Sequence, residues 1–120
     1  MSYFCGITAH GSTGTKAVTV GFQPTGMRIT VAQKFGVTDN YAHQSVGVSS
    51  GTTTSCTSLF QDTAGGLTIN SGKIVSHYER VGGNITEVIA ANFHSFTATQ
   101  VKYTITTANV NYNLLIEAWG

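Results

Sequence analysis

Apolar and polar side chains alternate at every second position along most of this chain, the period of a β-strand with one face buried. Two stretches show it most cleanly. Met27, Ile29 and Val31 alternate with Arg28 and Thr30, while Val101, Tyr103 and Ile105 alternate with Lys102, Thr104 and Thr106. Both read as half-buried antiparallel strands. The same period predicts strands from Tyr3 to Thr8, Lys16 to Phe22, Gln44 to Ser49, Thr54 to Phe60, Lys73 to Glu79, Glu87 to Phe93 and Tyr112 to Trp119. Turn residues punctuate them: Gly11 to Gly14, Gln23-Pro24-Thr25-Gly26, Asp39-Asn40, Ala64-Gly65-Gly66 and Val81-Gly82-Gly83-Asn84. No long window keeps the helical spacing i, i+3, i+4, i+7, so a parallel sheet has nothing from which to build crossovers. The pattern predicts an all-β fold, an antiparallel β-sandwich or barrel.

The final stretch, Tyr112 to Gly120, departs from simple alternation by carrying apolar residues on both faces. A strand of that kind is covered twice. One cover is the opposite sheet; the other reads as a second subunit, since Trp119 left in solvent is an exposed patch that invites a partner.

Composition sharpens the picture. The 120 residues suit one domain, spanning 1–120, and the size scaling lets such a chain bury about two-thirds of its surface without metals or disulfides. Charged residues make up only 9%, against about 25% in ordinary soluble domains. Ser and Thr fill the deficit with about a quarter of the chain. A net charge of +1 with scattered basic residues argues against nucleic acid as a partner. No apolar run approaches the ~20 residues that span a bilayer, so no membrane insertion is expected, and Met1 to Gly11 lack a secretory leader. Cys5 and Cys56 are too few for a disulfide scaffold and read as buried free thiols, although pairing through the fold stays open.

Candidate chemistry is thin. Gly47-Val48-Ser49-Ser50-Gly51 matches G-x-S-x-G, but a nucleophile there needs a strand-to-helix elbow, and no helix follows. Asp39, Asp62, Glu79, Glu87 and Glu117 supply carboxylates, of which Glu79 and Glu87 flank one Gly-rich turn and read as solvated partners of Arg80. His10, His43, His77 and His94 lack any metal-ligand spacing. No catalytic residue, metal or cofactor is therefore expected. The segment Asp39-Asn40-Tyr41-Ala42-His43-Gln44 differs in kind, because it gathers hydrogen-bonding groups around an aromatic ring in a loop. Asp39, Asn40, Tyr41 and His43 are the candidate ligand-binding residues, and a sugar, with hydroxyls and an apolar C–H face, is the ligand that suits them.

Three stretches resemble a known family. Gly14-Thr15-Lys16-Ala17-Val18-Thr19-Val20-Gly21-Phe22-Gln23-Pro24 looks like the G-x-x-x-V-x-x-G-F-x-P opening of small phage virion modules, which are similar to H-type lectin domains. Ala91 to Thr97 and the ending Ile116-Glu117-Ala118-Trp119-Gly120 resemble two further elements of those modules. The resemblance implies a jelly-roll or H-type-lectin-like sandwich that forms a homo-oligomer, commonly a trimer or hexamer, among other virion proteins. It would serve as a tail-fibre or tail-tip head or a capsid decoration protein, with a host-surface glycan as a further partner. The alternative expectation is a free-standing carbohydrate-binding lectin.

Overall fold

The computed structural model describes residues 1–32, 43–60, 66–108 and 111–120, and these form ten strands and no helix. In chain order they are β1 (Tyr3–His10), β2 (Gly14–Thr19), β3 (Gly26–Ala32), β4 (Gln44–Ser49), β5 (Thr54–Phe60), β6 (Gly66–Ser71), β7 (Lys73–Val81), β8 (Asn84–Phe96), β9 (Gln100–Ala108) and β10 (Tyr112–Trp119). One sheet has six strands in the order β1-β10-β3-β4-β5-β6, and the other has four in the order β2-β9-β8-β7. All pairings are antiparallel, and the two sheets pack face to face as an all-β sandwich.

Alternation explains the core. Met27, Ile29 and Val31 from β3 and Leu114, Ile116 and Ala118 from β10 point inward, against Val101, Tyr103 and Ile105 from β9 and Ile89 and Ala91 from β8. Each large aliphatic among them adds about 1.5–3 kcal/mol by leaving water. β4, β5 and β10 occupy the spans expected from the sequence, whereas β7 and β8 run longer because Val81 and Asn84 pair directly across a two-residue turn. Gly82 (φ 57°) and Gly83 (φ 85°) both lie in the left-handed region, as a twisted hairpin of this kind requires. β6 was not expected from the pattern. The sequence there alternates over only four residues, Leu67-Thr68-Ile69-Asn70, and Ile69 is 76% exposed.

The contact between β7 and the six-stranded sheet is built differently from the rest of the core. The inward positions of β4 and β5 are Ser45, Gly47, Ser49, Cys56 and Ser58, all small, while Val48 and Leu59 point outward. Small side chains let β7 approach so closely that a Cβ on Gly47 would lie 1.7 Å from the Ile74 carbonyl oxygen. At that approach β7 needs partners for the backbone groups facing away from β8. Ser45 Oγ accepts from Ser76 N at 3.1 Å, and Ser58 Oγ donates to the Ser76 carbonyl. Hydroxyls from one sheet thus complete the edge of the other.

The two cysteines are free and differ in setting. Cys56 is buried, and burial pushes its thiol pKa up, whereas Cys5 is exposed, which corrects the expectation of two buried thiols. β1 and β5 stand four strand steps apart, about 19 Å at ~4.8 Å per step, far beyond the ~7 Å that a disulfide tolerates between Cα atoms.

Candidate functional site

Of the loop residues read from the sequence as ligand contacts, Asp39, Asn40 and Tyr41 lie outside the described residues. His43 is described, and it is 4% exposed immediately before β4. Ser49 is 2% exposed at the end of β4, where its Oγ accepts from Gly51 N and shares a 2.8 Å hydrogen bond with Thr54 Oγ1. It leads into an antiparallel hairpin, so the elbow geometry of a serine nucleophile is not formed there.

Asp62, like Asp39, lies outside the described residues, and the three described glutamates sit in separate settings. Glu87 meets Lys73 Nζ at 3.0 Å and accepts from Ser76 Oγ at 2.6 Å. Glu117 takes a two-pronged contact from Arg28, Nε to Oε1 at 2.8 Å and Nη2 to Oε2 at 2.9 Å, and accepts from Tyr3 Oη at 2.5 Å. The Tyr3 hydrogen bond and the Arg28 guanidinium hold the Glu117 carboxyl below its usual range, while Tyr3, bonded to that carboxylate, is pushed up to about 12. Glu79 departs from the expectation of a solvated, turn-proximal residue. The longer β7 carries it inside the sandwich, 7% exposed, with His77 Nε2 3.0 Å from its Oε2.

His77, Glu79 and Tyr112 form a sealed polar group. His77 is fully buried, and its ring meets that of Tyr112 edge-on at 5.7 Å between centroids. Burial lowers the His77 pKa despite the Glu79 carboxylate, which opposes the shift, and His43 adds to the lowering. His10, whose Nε2 lies 2.5 Å from Tyr103 Oη, is also lowered, by burial first and Lys16 second. A histidine whose folded pKa falls below the unfolded ~6.5 stabilises the fold fully above about pH 6.5 and loses that contribution as pH falls toward the folded value. The urea midpoint is therefore expected to drop between pH 7.5 and pH 5, with His77 contributing up to about 1.4 kcal/mol per pH unit and the wetter His10 less. His77→Gln should flatten the profile. A midpoint that rises on acidification would contradict this assignment.

Among the described residues no group of three or more His, Cys, Asp or Glu is arranged to hold a metal ion. Nor does any helix there have the length and apolarity to cross a membrane.

The outward faces of the two sheets differ sharply. On the four-stranded sheet, Thr15 faces Thr104, Ala17 faces Lys102 and Thr19 faces Gln100, a polar surface tied by side-chain hydrogen bonds such as Thr15 Oγ1 to Thr104 Oγ1 at 3.0 Å. On the six-stranded sheet one register row runs through every strand: Ile7, Leu115, Thr30, Val46, Thr57 and Ile69. It contains no charge. Ile7 is 72% exposed and Ile69 is 76% exposed, and Val48 and Leu59 lie outward beside the row. The neighbouring row holds Arg28 and Glu117, which neutralise each other. Sequence reading found the two-faced character of the last strand but not this row, which exists only because the topology inserts β10 between β1 and β3.

No protein-family model matches the chain, and no curated protein or solved structure matches it.

Proposed function

We propose that this protein is a structural binding module of a phage-like virion, a tail-fibre or tail-tip head domain or a capsid decoration protein, which works by symmetric self-assembly and carries out no turnover. One observation carries the reading: the uncharged row on the outward face of the larger sheet, in which Ile7, Leu115, Val46 and Ile69 alternate with only two threonines across six strands. The polar outward face of the smaller sheet shows how this sequence clothes a surface meant for water. A charge-free, largely aliphatic surface of the first kind is what association covers. Assembly also suits the scale of the molecule, because a small domain gains useful attachment through several linked copies. The virion setting rests on the likeness of Gly14 to Pro24 and Ile116 to Gly120 to phage virion modules, and it makes other virion proteins the expected partners.

Sedimentation velocity at tens of micromolar tests the reading. The wild type is expected to run as a homo-oligomer, a trimer or hexamer, and the double variant Ile7→Lys/Ile69→Lys as a folded monomer. Both side chains are largely exposed within one chain, so lysine there should alter monomer stability by less than about 0.5 kcal/mol. A wild type that stays monomeric, or a double variant that assembles as well as the wild type, would defeat the proposal.

A further inference from the structure

Trp119 borders a cleft of about 420 Å³ at the end of the larger sheet, a size within the range of small-ligand sites. Its second apolar wall is Val48. Hydroxyls of Thr25, Ser50, Thr53 and Ser55 surround these two, and none of the described residues lining the cleft is charged. We propose that this cleft is a binding site for an uncharged saccharide, with a pyranose ring laid on the Trp119 indole and its hydroxyls bonded to Thr53 and Ser55.

The chemistry of the lining decides the ligand class. An anionic or cationic ligand would enter without a counter-charge, and a wholly apolar one would strip water from several hydroxyls without replacing it. A neutral sugar satisfies both halves, since its axial C–H groups suit an aromatic face and its hydroxyls can donate and accept. Thr53 is exposed and Ser55 half-buried, so their hydroxyls are accessible to a ligand in the cleft.

The site is also held ready. Trp119 O accepts from Thr25 N at 2.8 Å, and Gly120 and Ser2 exchange backbone hydrogen bonds just beyond it. Gly26 forms the shelf under the ring, because a Cβ there would lie 2.3 Å from the indole Nε1. The opposite wall is the turn after β4, braced by Ser50 N to Thr53 O at 3.0 Å and Thr53 N to Ser50 Oγ at 3.2 Å. Gly51 at φ 90° supplies the left-handed residue of that turn. Preorganisation of this kind removes much of the ordering cost of binding.

The cleft lies within one chain but opens on the same outward face as the row of Ile7 and Ile69, so the titration is run on the Ile7→Lys/Ile69→Lys variant as well as the wild type, and sugar binding by that variant is read apart from self-assembly. Trp119 is the only tryptophan, which makes its fluorescence a direct reporter. Titration with the methyl β-pyranosides of glucose, galactose and N-acetylglucosamine is expected to give a saturable spectral change with at least one of them, with Kd in about the millimolar range that the affinity per heavy atom allows. Thr53→Val and Ser55→Ala should each weaken binding about fivefold, the worth of one net hydrogen bond. Gly26→Ala, which displaces the indole, should abolish binding, and Thr15→Val on the other sheet should leave it unchanged. Three results would overturn the proposal: no saturable change with any of the three sugars in the folded wild type, Thr53→Val and Ser55→Ala both binding as the wild type does, or glucuronate binding more tightly than the neutral sugars.

Discussion

Gly47→Ala is expected to destabilise the fold by more than about 3 kcal/mol, at or beyond the upper end of ordinary overpacking. The added methyl would meet the Ile74 carbonyl oxygen at 1.7 Å and the Ile74 Cα at 2.9 Å. Those are backbone atoms of β7, so no rotamer change relieves the clash. Only separation of the two sheets does, and that opens the interface at Ser45 and Ser58 as well. Thermal unfolding should register a fall of more than about 10 °C. Val48→Ala, one residue along and 44% exposed, is the control and should change stability by no more than about 0.5 kcal/mol. A Gly47→Ala protein that melts with the wild type would mean that β7 does not lie against β4 as described.

The double variant Ser45→Ala/Ser58→Ala has the next largest expected effect, a loss of about 2–5 kcal/mol. Each hydroxyl satisfies one backbone group of Ser76, and both serines are buried, so water does not readily replace them. Leaving a buried donor or acceptor unpaired costs about 1–3 kcal/mol. The two effects share one residue and should not add simply, which a double-mutant cycle measures. Hydrogen exchange gives a local readout, because the Ser76 amide should lose protection in Ser45→Ala more than its neighbours do. Equal protection in the variant and the wild type would show that the amide has another partner.

The legible part of the fold is the part governed by local alternation and turn chemistry. β4, β5 and β10 fall where the sequence places them, over the same residues that the strand-period reading marks. The orientation of β4 and β5 was not legible. Their serines face inward and their valine and leucine outward, a choice made by the docking of β7, which no local pattern announces. β6 escaped because its alternation is short, Leu67-Thr68-Ile69-Asn70, and ends at Ser71 immediately before β7 begins. Glu79 read as a surface residue because it stood at the end of its expected strand beside Arg80 and the Gly-rich turn; β7 instead runs on to Val81, and the strand period puts Glu79 on the buried face with His77. At the cleft, Trp119 was conspicuous as an aromatic in need of cover. Gly26, Thr53 and Ser55 were not, because they come from three different chain segments that meet it only through the strand order β10-β3-β4-β5.

That strand order also dictates when the molecule can become itself. The strand that fills the gap between β1 and β3 is the last of the ten described strands, and its register ties Tyr3 to Trp119. A nascent chain therefore carries two unfinished edges until synthesis reaches Tyr112, and closure across almost the whole sequence is entropically slow. The vulnerable moment for misassembly falls after translation of β9 and before β10 is threaded home, when a neighbouring polypeptide could occupy the vacancy in its place.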